Sequence, residues 1–206
     1  MKTEHRLAEA LKSMMSELPL EEISVAALAR RCKVNRQTFY YHFHDIYDLL
    51  ALVFLNEKIQ GIDEARNSVE MVTAIYQYYV SNQTFIEGTL NSAGKDLFEE
   101  FVYNTCYKSF MKFINNLMES KRITINEKKN MVRFRAFAYS NSIVYYLSTH
   151  KTKSLENMLA CFSFENDENM RKEILDLLDY RWRTKQWWIL NSAALQKYIL
   201  EKEKKN

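Results

Sequence analysis

Between Ala27 and His44 the chain carries Arg30, Arg31, Lys33 and Arg36, two histidines and no carboxylate. A surface built to meet phosphate excludes acids, because like charge works against docking. Arg36 and Gln37 are neighbours, and both residue types read base edges: arginine pairs two-pronged with guanine, glutamine with adenine. Thr38 and Tyr40 add hydroxyls that can bond phosphate oxygens, contacts that set register rather than sequence. The chemistry on offer is recognition of a duplex. Bond-making chemistry is poorly represented. His5, His42, His44 and His150 stand in no evident constellation with a carboxylate or a nucleophile, so no enzyme is expected. His42, His44 and Cys32 make a sparse ligand set, and neither a metal nor another cofactor is expected. A thiol sensor using Cys106 or Cys161 is an alternative, against the commoner use of cysteine as a small buried hydrophobe.

Side chains that read a duplex need a rigid element, and the flanking residues predict one. Ser24 can cap a second helix, with Ile23 and Leu28 at the staple positions on either side of that cap. Cys32-Lys33-Val34 breaks it. Asn35 caps a third helix running to about His42, and Asp45 opens a fourth, with Asp48 in its first turn. Leu28, Val34 and Phe39 form a miniature core, and the small Ala29 lets the two helices cross closely. This is a helix-turn-helix, preceded by a first helix from near Thr3 whose Leu7, Leu11, Met14, Met15 and Leu18 follow a helical period until Pro19.

Composition says what the rest must be. The 206 residues include 3 glycines and 1 proline, too few turn formers for a sandwich, barrel or propeller. No Gly-rich phosphate loop is present. The expected fold class is all-α: a three-helix N-terminal domain over residues 1–46, continuing into the fourth helix, and a helical C-terminal domain over 47–206. Net charge is only +3, so basic character is local to the motif. Glu4, Arg6, Glu9 and Lys12 interrupt any signal-peptide core. The longest apolar run, Leu49 to Leu55, is far short of the roughly 20 residues a membrane helix needs. A soluble cytoplasmic protein with three reduced, buried cysteines is expected. The fourth helix reads through to Ile59. Further helices are expected over 68–82, within 83–94, and over 95–120, 126–148 and 154–162. Met170 to Leu200 reads as one or two more, with Trp187 and Trp188 as dimer contacts.

The segment Ser24–Leu50 resembles the DNA-binding domain of the tetracycline-repressor (TetR) family. Thr38-Phe39-Tyr40-Tyr41-His42-Phe43, followed by an acid-containing start to an apolar helix, carries the resemblance. The upstream Ala-Leu-Ala-Arg-Arg-Cys-Lys-Val fits it too. The resemblance places Thr38 and Tyr40 on phosphates and Arg36, Gln37, Tyr41 and His42 at or near bases. Lys33 and Asn35 complete the expected DNA-binding set. The chain departs from the family twice. Lys33 stands where glycine is usual in the turn, and Ile46 where many members have a phosphate-binding lysine. Lys33, His44 or Lys2 would supply the missing anchor.

For the C-terminal helices the resemblance implies a small-molecule pocket and a homodimer seam along the last two long helices. Tyr76, Tyr79, Phe98, Phe101, Tyr107, Phe134, Phe137 and Trp182 are the lining candidates. Asn141 shares a helix face with Phe134, Phe137 and Tyr145, and is expected to be buried against ligand, seam or neighbours. Arg133 and Arg135 are expected to be solvated or interfacial. The implied function is a dimeric repressor on a palindromic operator in double-stranded DNA, released by a small-molecule effector. The alternatives are an activator of the same type and a thiol- or metal-responsive regulator.

Overall fold

A computed structural model describes the backbone of residues 2–163 and 167–203, and side chains at 3–163, 168–186 and 192. Lys2, Trp187 and Trp188 therefore lie outside the described side chains. No strand occurs among the described residues. Ten helices follow in order: α1 (Lys2–Met15), α2 (Val25–Arg31), α3 (Arg36–His42), α4 (Ile46–Asn56), α5 (Ser68–Ser81), α6 (Gln83–Leu90), α7 (Lys95–Asn116), α8 (Ile125–Thr149), α9 (Leu155–Ala160) and α10 (Asp167–Glu203). Short 3-10 turns occupy Leu20–Glu22 and Met118–Arg122.

The N-terminal caps form as the residue types require. Ser24 accepts from the Ala27 amide at 3.1 Å, Asn35 from Thr38 at 2.7 Å, and Asp45 from Asp48 at 2.9 Å. Leu28 and Phe39 are fully buried, and Val34 packs partly buried against them. The turn between α2 and α3 forces Lys33 to φ 53, the left-handed region that disfavours a side chain. Lys33→Gly relieves that strain, less the freedom glycine adds to the unfolded chain. The net expectation is a rise in Tm of about 1–3 °C in a thermal melt. A fall would mean that the lysine side chain holds the turn more strongly than the strain opposes it.

The C-terminal helices differ from expectation in three places. α4 stops at Asn56 rather than Ile59, because Glu57 turns to extended backbone and its carboxylate meets Lys12 of α1 at 2.6 Å. α7 stops at Asn116 rather than near residue 120: Leu117 is extended, and Met118 is exposed. A capping box between Thr124 and Glu127 then opens α8. The largest difference is the orientation of α8. Its inward face is Met131, Val132, Ala136, Tyr139, Ile143 and Leu147, so Phe134, Phe137, Asn141 and Tyr145 point outward. Both sides of this helix carry large apolar residues, and periodicity cannot say which one turns in.

α10 is tied across the bundle by ion pairs. Arg135 of α8, only 6% exposed, reaches Glu173 at 2.6 Å. Arg171 meets Glu119 at 2.6 Å, and Arg181 pairs with Glu127. Arg135 is thus a buried strut, whereas Arg133 is exposed. The core between α4, α6 and α7 is aromatic: the Phe54 ring lies 5.5 Å from Phe85, 5.8 Å from Phe98 and 5.3 Å from Phe101. Cys32 and Cys106 are buried, but Cys161 is exposed, against the expectation of three buried thiols.

Candidate nucleic-acid interface

α3 is held by its two aromatic anchors. Phe39 and Phe43, one turn apart, are buried with ring centroids 5.6 Å apart, which turns the rest of the helix outward. At about 100° per residue, Arg36 and Tyr40 share one stripe of the outer surface and Gln37 and Tyr41 the next. All four are exposed. Tyr41, 85% exposed, stands opposite the core. Tyr40, 52% exposed, packs its ring perpendicular to that of Phe39 with centroids 5.5 Å apart. Lys33 and Asn35 are exposed at the head of this surface, and Arg30 is exposed on α2.

Not every residue of the basic stretch belongs to that surface. Arg31 is turned back onto α1, donating to Ser13 at 2.9 Å and to Glu17 at 3.0 Å. Arg6 donates to the Cys32 carbonyl, pinning α1 to the end of α2. His42, one of the residues assigned near bases, is half-buried with Nδ1 3.2 Å from Glu4 Oε1. In this arrangement it joins α3 to α1 rather than the outer face. The Thr38 hydroxyl donates to Asn35 Oδ1 at 2.8 Å, so its oxygen is left to accept a bond. Donating to a phosphate oxygen requires that hydroxyl to rotate off Asn35. His44 and Tyr47 are exposed beside α3, where Ile46 leaves no cation at the start of α4.

The expected pocket residues do not converge. Tyr79 is buried, its hydroxyl donating to Glu87 at 2.6 Å, and this bond holds the Glu87 carboxyl below its usual range. Tyr76 donates to the Lys153 carbonyl at 3.0 Å. Phe98 is sealed in the core, and Tyr107 is half-buried beside Tyr103. Phe134, Phe137 and Trp182 are 75%, 65% and 64% exposed, and exposed Asn141 donates to its own helix at the Phe137 carbonyl. They form surface, not a cavity wall. Of the nine candidates, only Phe101 lines the groove of about 500 Å³ between α4 and α7. The rest of that groove's wall, including Phe54, Glu57 and Lys108, was not foreseen, because it joins residues from distant parts of the chain.

The two buried thiols offer little chemistry. Burial pushes the Cys106 thiol up, away from the reactive thiolate. Burial likewise raises the Cys32 thiol, opposed by the nearby Arg6 and Arg31. Among the described residues, no group of three or more His, Cys, Asp or Glu side chains is placed to hold a metal ion. Nor is any described helix long and apolar enough to cross a membrane.

Comparison with known proteins adds independent findings. Residues 7–53 match the family model for bacterial regulatory proteins of the tetR family. Residues 66–163 match a second model, for a transcriptional regulator C-terminal region of TetR type. A curated relative, the HTH-type dhaKLM operon transcriptional activator DhaS of Lactococcus lactis subsp. lactis (strain IL1403), is 32% identical over 62 residues. That match covers 30% of this chain and 33% of the relative, so the chain spans about a third of the relative's length. A solved structure, the dihydroxyacetone kinase operon activator DhaS, aligns with a TM-score of 0.54 and 22% identity over 86% of this chain and 97% of that one. At that identity the likeness concerns the fold.

Proposed function

The chain belongs to the TetR family of bacterial transcriptional regulators, and from that premise we propose that it is a homodimer that reads a palindromic operator through α3. The observation that carries the reading is the outer face of α3, where Arg36, Gln37, Tyr40 and Tyr41 stand exposed on an acid-free helix anchored by Phe39 and Phe43. Two such helices related by a two-fold axis enter successive major grooves about 34 Å apart. Lys33, Asn35 and Thr38 set the register on phosphates, and His42 joins them if its bond to Glu4 opens.

The outward stripe of α8 supports the dimer. Phe134, Phe137, Ala138, Asn141 and Tyr145 recur at helical spacing on one exposed face, with Tyr145 68% exposed. Leu175 and Trp182 make a second exposed stripe on α10. A contiguous apolar face of this kind marks an interaction surface. The DNA-reading unit is residues 1–46 with the start of α4, and residues 47–206 form the dimerising and effector-binding unit.

The regulator acts as a repressor that a small molecule releases, by binding better to a form with the wrong helix spacing. A second reading, activation, is favoured by one observation: both DhaS proteins are named as operon activators. Transcription in vitro from the promoter next to the gene, with and without the protein, decides between them. Lower transcript with protein supports repression, and higher transcript supports activation. No change, at a concentration that occupies the DNA, contradicts both.

A further inference from the structure

A groove of about 500 Å³ runs between the end of α4, the segment 57–63 and one face of α7. That volume is within the range that holds small organic ligands. Its two ends differ in character. At one end Phe54 and Phe101, with ring centroids 5.3 Å apart, line the groove with Leu97, and Leu55 stands exposed on the same lining. At the other, successive turns of α7 present Asn104, Thr105, Lys108 and Lys112. Lys112 donates to the backbone carbonyls of Asp63 and Ala65, so its bonds go to neutral groups. Lys108 is exposed and joins no ion pair among the described residues. Lys58 stands on the same wall. Three carboxylates also line the groove. Glu57 is neutralised by Lys12 at 2.6 Å, which leaves Asp63 and Glu100 against three lysines.

We infer that this groove is the effector site and takes an amphiphilic monocarboxylate, its apolar body on Phe54 and Phe101 and its carboxylate at Lys108. The assignment rests on the reading of the chain as an effector-controlled regulator. A carboxylate at Lys108 gains a charge-assisted bond that an alcohol of equal length forms only weakly and an amine cannot form.

The same wall carries the link to DNA. Glu57 leaves the end of α4 and holds Lys12 of α1, whose ammonium also lies over the Phe85 ring at 5.3 Å. α1 in turn holds α3 through Glu4 and His42, and α2 through Arg6 and the Cys32 carbonyl. A ligand that shifts the 57–63 segment against α7 moves Glu57, and through Lys12 it moves the helix on which the DNA-reading pair is mounted.

Isothermal titration of the full chain with 4-phenylbutyrate, 4-phenylbutan-1-ol and 4-phenylbutylamine tests the site. The carboxylate is expected to bind at least about tenfold more tightly than the other two, and Lys108→Gln to remove about that factor. Equal affinities, no binding at millimolar concentration, or a carboxylate affinity unmoved by Lys108→Gln overturns the assignment. In parallel, binding of a duplex selected from a random library is measured with and without 4-phenylbutyrate. The wild type is expected to change its duplex affinity when the carboxylate binds. The double variant Lys12→Met, Glu57→Gln, which breaks the link without leaving an unpaired charge in the groove, is expected to bind the carboxylate but lose that response. A variant that keeps the full response overturns the route through Glu57. If the ligand-free wild type binds no duplex, the underlying reading fails; if it binds duplex but none of the probes, only the groove assignment fails.

Discussion

Arg36→Ala is expected to weaken binding to a selected duplex by about 5- to 150-fold, the cost of about 1–3 kcal/mol for losing a two-pronged base contact. It is also expected to relax the preference at one base pair, because the lost contact carries sequence information. Arg36 sits in the first turn of α3, exposed, on the side of the helix next to Tyr40. It makes no core contact, so its removal leaves stability within about 0.5 kcal/mol. Tyr40→Phe should behave differently. It removes a hydroxyl assigned to phosphate while keeping the ring edge-on to Phe39, so its loss is uniform across sequences. Arg31→Ala is the discriminating control. Its guanidinium is occupied by Ser13 and Glu17, so the duplex affinity should change less than about threefold. Fluorescence anisotropy with matched and single-mismatch duplexes measures all three. Equal losses for Arg31 and Arg36 would mean that the protein senses bulk basic charge and that α3 has no special role.

The paired substitution Phe134→Asp, Phe137→Asp is expected to convert a dimer to a monomer at micromolar concentration. Both rings stand on the exposed face of α8, so the change places two charges on the proposed seam without opening a hole in the core. Central aromatic residues of an interface each contribute about 2 kcal/mol or more, so the pair raises the dimer dissociation constant at least about 1000-fold. Sedimentation equilibrium reads the mass, and an unchanged thermal unfolding profile at low concentration shows that the protomer survives. DNA affinity should fall with the dimer, since each recognition helix then binds its half-site alone. A wild type that sediments as a single chain, or a double variant that still sediments as two, places the seam elsewhere.

What could be read from the residues, and what could not, follows the range of the interactions. Ser24, Asn35 and Asp45 act on amides three residues away, and Phe39 and Phe43 on the adjacent turn, so the DNA-reading unit was legible in short stretches. Lys33 was legible as a departure, because a turn that usually takes glycine has a specific backbone requirement, met here at φ 53. The inward face of α8 was not, since aromatic residues lie on both of its sides and the packing of α7 against it chooses between them. The early end of α4 was hidden for a related reason. Glu57, extended at the helix end, pairs with Lys12, 45 residues away, and no local pattern announces such a partner. The same distance hid the groove. Its wall joins Phe54 and Glu57 to Phe101 and Lys108, which become neighbours only after α4 and α7 pack.

The central claim is that two copies of α3 read one DNA site. Selection of duplexes from a random library by the full-length protein, followed by sequencing, tests it most directly. The account predicts an enriched inverted repeat whose half-sites lie about 10 base pairs apart, or a multiple of that spacing. It also predicts that raising the salt weakens binding steeply. Failure to enrich any sequence over the starting library at low and moderate salt, or enrichment of a single unrepeated half-site, would contradict it.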